Sequence, residues 1–137
     1  MYDVRNATDV RKDWGLFIDQ VVHGKPGVVK RNRDYFLSIS LEQVLRLLEG
    51  YRFKAEILPE DDGSITLSLE EIDLVVNGPD LDTAKNEMVA ELISYSQDYF
   101  NDFQLYYNAP NRKGHFPYVL KLLLLEDIKT VYGLIDA

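Results

Sequence analysis

The chain contains no cysteine. That excludes disulfides and thiolate metal sites, and it predicts a reducing, cytoplasmic setting. It also has no long apolar run. The longest, around Leu122–Leu125, falls far short of the roughly 20 residues that a bilayer-spanning helix needs, so no membrane partner is expected. No apolar signal core follows Met1-Tyr2-Asp3-Val4-Arg5, so secretion is not expected, and the glycosylation-like Asn6-Ala7-Thr8 carries no meaning without it. Histidine is scarce. Neither His23 nor His115 has a third ligand nearby at metal spacing. A phosphate-binding glycine loop, a nucleophile elbow and a Cys–His pair are all missing. Two acidic runs, Glu60-Asp61-Asp62 and Glu70-Glu71 with Asp73, hold carboxylates that a cation site or an acid/base pair could use. Both fall at or beside expected turns, where such runs are ordinarily solvated. No enzyme, metal or cofactor is expected, and a small carboxylate enzyme stands only as a rival reading.

What is present is enough apolar residue to build a core: 46% of 137 residues are hydrophobic. The net charge of −8 is unevenly spread. Residues 1–54 carry ten Lys/Arg against seven Asp/Glu, and residues 55–137 carry five against sixteen. A mildly basic head on a strongly acidic body suits a polyanion at one end and a basic partner at the other, although acidic surfaces also serve solubility alone.

Along the chain, Met1 to Arg5 alternates as a short strand, and Asn6 or Thr8 can cap a helix carrying Val10, Trp14, Phe17, Ile18 and Val21 on one face. Gly24 and Pro26 stop it. Val28-Val29 and Tyr35–Ile39 then read as two strands around the basic turn Lys30-Arg31-Asn32-Arg33-Asp34. Ser40 and Gln43 open a second helix with the look of a capping box, with Val44, Leu45, Leu47 and Leu48 as its stripe. So much apolar helix surface on so little sheet predicts a homodimer or a higher even oligomer. Residues 53–58 and 65–69 form a hairpin, and Ile72 with Leu74–Val76 a third strand. Asp82 or Thr83 caps a long helix with two apolar lines, one through Ala84, Met88, Leu92, Tyr95 and Tyr99 and the other through Val89, Ile93, Phe100 and Phe103. Residues 116–135 read as a helix apolar almost all round, buried either in the core or in a partner.

Arg5, Arg11, Lys12, Lys30, Arg31 and Arg33 are basic positions that one small fold could gather against phosphate. Doubled by a two-fold axis, they would match a palindromic duplex.

Residues 4–49 resemble the Phd/YefM antitoxins. The likeness lies in the early helix with Arg11, in Pro26-Gly27-Val28-Val29-Lys30-Arg31, and in the strand leading to Ser40-Leu41-Glu42-Gln43. Trp14 and Phe17 stand where that family usually has smaller residues. Residues 52–103 resemble the HicB antitoxin module through Phe53–Asp61, the Gly63 turn and Asn77-Gly78-Pro79-Asp80-Leu81-Asp82-Thr83-Ala84. These resemblances imply an α+β chain in three parts: a β-α-β-β-α unit over 1–51 for dimerisation and DNA binding, a HicB-like β-β-β-α module over 52–104, and a helical tail over 105–137. They imply an antitoxin that binds operator DNA as a dimer, represses its own operon, and neutralises a small basic RelE-type mRNA-cleaving toxin. Arg11 and Arg31 match the family's DNA-contacting arginines, whereas the other four basic positions are added on charge. Leu120, Leu123, Leu124, Ile128 and Val131 are the expected toxin contacts. The alternative is a dimeric interaction or scaffold protein with no role on DNA.

Overall fold

A computed structural model describes residues 3–125 and 127–137. Met1, Tyr2 and Glu126 lie outside them, and with them parts of the strand expected over 1–5 and the helix expected over 116–135. The fold is mixed α+β, with two sheets and seven α-helices among the described residues. The chain divides into two compact units, Met1–Leu47 and Leu48–Ala137.

In the first unit β1 (Val4–Asn6) runs parallel to β2 (Gly27–Arg31), and β3 (Asp34–Ser38) returns antiparallel to β2. The crossover between β1 and β2 holds α1 (Ala7–Lys12) and α2 (Trp14–His23). Asn6 caps α1 by accepting from the Thr8 amide at 2.8 Å. The expected single helix is two, because Asp13 leaves helical geometry at φ −134° and ψ 59°. Beyond the break Phe17 and Val21 point inward, and with Val10 and Val29 they form a core of only four buried residues. Trp14, expected on that face, is 54% exposed, and Ile18 is exposed as well. At the stop of α2, a Cβ on Gly24 would lie 2.5 Å from the Gln20 carbonyl oxygen, so only glycine fits there. Asn32 supplies the positive φ, 57°, that turns β2 into β3. The third helix, α3 (Leu41–Leu47), is capped by Ser40 Oγ, which accepts from the Gln43 amide. The Gln43 side chain does not close the capping box and donates instead to the Gly24 carbonyl at 3.4 Å.

The second unit is a meander of β4 (Phe53–Pro59), β5 (Ile65–Leu69) and β6 (Val75–Gly78), followed by α4 (Leu81–Asn101), α5 (Phe103–Asn108), α6 (Phe116–Leu124), α7 (Ile128–Gly133) and β7 (Ile135–Asp136). The sheet order is β6-β5-β4-β7, with β7 parallel to β4. Three details depart from the sequence expectation. The third strand begins at Val75, and Ile72 is instead a buried plug ahead of it. The cap of α4 is Asp80, which accepts from the Thr83 amide at 2.7 Å. The run 116–135 is two helices and a strand rather than one helix, since Leu125 leaves helical geometry and the end of the chain is worth more as a sheet partner of Phe53 and Lys54. Gly78 is fixed by the approach of α4, because a Cβ there would lie 2.8 Å from the Ala84 nitrogen.

The core joins Phe53, Leu67 and Leu69 of the sheet to Met88, Val89 and Leu92 of α4 and to Leu122, Val131, Leu134 and Ile135 near the C-terminus. Residues 52–104 and 105–137 therefore share one core. Leu48 is buried, and the carbonyls of Glu49 and Tyr51 accept from Lys121 Nζ at 3.3 and 2.7 Å, so the break between units falls at Leu47/Leu48. Lys121 itself is buried, and burial lowers its pKa from the ordinary lysine value. Nearby, Arg52 holds Asp136 with two bonds and donates a third to the Gly133 carbonyl.

Lys121→Met keeps the apolar stem and removes the donor of both carbonyls. Denaturant unfolding should show a loss of about 1–3 kcal/mol, the range for losing hydrogen bonds from a charged donor to part-buried carbonyls.

Candidate functional site

Alternation along β2 decides which basic residues share a face. Val29 faces the helices and is buried, so Arg31 two residues on lies on the same side, with Phe36 and Asp34 as their cross-strand partners. Lys30 and its partner Tyr35 lie on the opposite side, with the Lys30 ammonium 5.4 Å from the Tyr35 ring centre. On the helix side, Arg11 borders an apolar cleft of about 230 Å³ lined by Ala7, Val10, Trp14, Val29 and Phe36. Arg11 and Arg31 thus border one face, Lys12 and Arg33 are exposed at the end of α1 and in the turn, and Lys30 is on the other side of the sheet. Arg5 is engaged elsewhere. Its guanidinium donates to Gln20 Oε1 and lies 5.6 Å from the centre of the Phe17 ring, which ties β1 to α2.

The same unit exposes a large apolar surface. Tyr35 and Leu37 project from the outer face of the sheet, Trp14 and Phe36 rim the cleft, and Ile18, Val22, Leu41 and Leu47 are exposed on α2 and α3. A core of four residues cannot absorb them.

In the second unit, the expected toxin contacts divide. Leu120, Leu123 and Leu124 are half-buried on α6, and Ile128 is exposed at the start of α7. Val131 is 0% exposed and sits inside the core, so it is not on any surface. Leu123 lines a hollow of about 250 Å³ with Ile93, Ser96 and Gln97 of α4 and with Leu122 and Leu125. The carboxylate runs form no site. Asp62 accepts from the Ser64 amide and hydroxyl within the β4–β5 turn, Glu71 accepts from the Lys54 amide, and no group of three metal-ligating side chains occurs among the described residues.

His115 belongs to a network that composition could not announce. Arg112 donates to Tyr95 Oη at 2.8 Å, and Tyr95 Oη is hydrogen-bonded to His115 Nδ1 at 2.7 Å. The Tyr99 hydroxyl donates to the Arg112 carbonyl at 2.7 Å, and Phe103, Tyr106, Tyr107 and Phe116 continue the cluster of rings. Burial lowers the His115 pKa, and the Arg112 charge lowers it further, against a smaller opposing pull from Asp73.

Nothing among the curated proteins matches the sequence. Among solved structures, a crystal structure from Syntrophomonas wolfei subsp. wolfei, of an antitoxin part of a proposed toxin/antitoxin system, superposes with a TM-score of 0.93. It is 44% identical, over 98% of this chain and 96% of that one. Fold and likeness thus define an antitoxin of a toxin–antitoxin system, a regulatory protein rather than an enzyme, with a cognate toxin as its partner. The chain belongs to the PHD_like family, whose profile, described as antitoxin of toxin-antitoxin, RelE / RelB, TA system, matches residues 1–137. Among the described residues no helix is long and apolar enough to cross a membrane.

The lowered His115 pKa has a definite sign. The unfolded histidine takes up a proton as pH falls through about 6.5, while the folded one resists. Stability is therefore full above that value and drops as pH falls from 7 toward 5. Urea titrations across this window should show the decline in the parent protein and a flatter profile in His115→Gln.

Proposed function

We propose that this antitoxin neutralises an mRNA-cleaving toxin of the RelE type through its second unit, and that it represses its own operon by binding operator DNA as a dimer through its first. The observation that carries the DNA half is the placement of Arg11 and Arg31 at the border of one face of a unit whose apolar surface is uncovered. Pairing of two copies over Tyr35, Leu37 and their neighbours would bury that surface and present two basic clusters about a two-fold axis. Lys12 and Arg33 join the phosphate contacts by exposure. Arg5, held by Gln20 and Phe17, and Lys30, on the other side of the sheet, are the least well placed of the six. The toxin half is supported by the acidic charge of residues 55–137 and by the half-buried leucines Leu120, Leu123 and Leu124, with Ile128 beside them.

Mobility-shift titration on the promoter-proximal DNA of the native operon tests the first half. The double variant Arg11→Ala/Arg31→Ala should bind at least tenfold more weakly and with a shallower salt dependence, while still folding and binding toxin. Equal affinity would remove the DNA role and leave the scaffold reading. Sedimentation of Leu37→Asp tests the dimer: it should run as a monomer, whereas the parent runs as a dimer at the same concentration. For the toxin face, Leu123→Asp should weaken binding to the co-expressed toxin at least tenfold, as titration calorimetry would show, with operator affinity unchanged.

A further inference from the structure

β4 is longer than the strand that covers its outer edge. On one side β5 pairs with it from Ala55 to Pro59. On the other, β7 reaches only Phe53 and Lys54. Two backbone bonds give the direction of the remaining groups. The Phe53 amide donates to the Leu134 carbonyl, on the β7 side, at 2.9 Å, and the Lys54 carbonyl accepts from the Glu70 amide, on the β5 side, at 3.2 Å. These directions alternate along a strand. The register of β7, which ends with Asp136 opposite Lys54, uses the Ala55 amide; the Ala55 carbonyl, both backbone groups of Ile57 and the Pro59 carbonyl are therefore turned toward the uncovered edge. The side chains agree, since Ile57 is 39% exposed while its cross-strand partner Leu67 is 0% exposed. The sheet is one short strand from complete.

We infer that this edge takes up an extended segment of the toxin, which pairs with Ala55–Pro59 in line with β7. The inference rests on the toxin–antitoxin reading above and adds the mode of contact. Charge selects the occupant. Exposed Glu56 lies along the edge and Glu60, Asp61 and Asp62 lie at its end, with Lys54 as the cation of the same strand. A second copy of β4 would bring another set of these carboxylates to the same line, and Pro59 offers it no donor. A basic segment with an apolar residue at every second position relieves the charge, covers Ile57 and fills the row of backbone groups.

The test uses the full-length protein and its toxin co-expressed from the native operon. Amide exchange followed by NMR should slow at Ile57 by at least a hundredfold in the complex relative to the free protein. Ile57→Pro deletes an outward amide that β5 does not use and should weaken toxin binding at least tenfold. Glu56→Lys keeps every backbone group, reverses the local charge and should weaken it similarly, which decides the matter if the proline variant does not fold. Unchanged exchange at Ile57, or full affinity of Glu56→Lys, overturns the edge mode and leaves the toxin pairing standing. Slow exchange at the Ile57 amide in a self-associated, toxin-free protein makes a second copy the occupant and overturns it too. Absence of any complex with the parent protein removes the toxin reading itself.

Discussion

The ammonium of Lys121 lies between the carbonyls of Glu49 and Tyr51, and the closure of the second unit depends on that arrangement. A buried cation is costly unless its donors are matched. Here the matching acceptors are backbone carbonyls in the segment leading into β4, so satisfying the charge also fixes where α6 lies against the start of the sheet. From there the chain needs only α7 to reach β4 again, and Arg52 locks the arrival by holding Asp136 and the Gly133 carbonyl together. The last thirty or so residues are thus held by a few directed bonds at their ends and by Leu122, Val131, Leu134 and Ile135 between them.

The first unit lives under the opposite constraint. Fewer than fifty residues leave little volume to surround, and its four-residue core is close to what one three-stranded sheet and a broken helix can enclose. The break at Asp13 sharpens this, since it leaves Trp14 at the surface. In the proposed function that shortfall is what drives association: burial of the outer sheet face around Tyr35 and Leu37 would hold two copies together and so double the arginines of the helix side. Stability of such a unit would then depend on protomer concentration.

Much of this was legible from residue order. The strands around Lys30–Asp34, the long helix from the low eighties and the β-β-β-α order followed from alternation, from Asn32 and Gly63 at the turns, and from helical spacing. The helix break at Asp13 was not, because aspartate is neither proline nor glycine and the apolar spacing runs through it unchanged. Nor was the division of 116–135, where an all-apolar run has no periodicity to distinguish two helices and a strand from one helix. A lone lysine inside FPYVLKLLLL was a signal that something polar had to meet it, although no pattern could say that the partners were carbonyls about seventy residues earlier. The basic cluster was readable as composition. Its division into two faces came only with the register, which sends Arg31 to the helix side and Lys30 to the other.

The parallel run of β7 beside β4 carries a practical consequence for handling the protein. Ile135 and Asp136 lie opposite Phe53 and Lys54, so the register leads whatever is fused after Ala137 toward Ala55 and Ile57. A linker or purification handle placed at that end is delivered, tethered and at high effective concentration, to a row of free backbone groups. It would act as an internal competitor, protecting the strand from self-association while dulling its affinity for anything else.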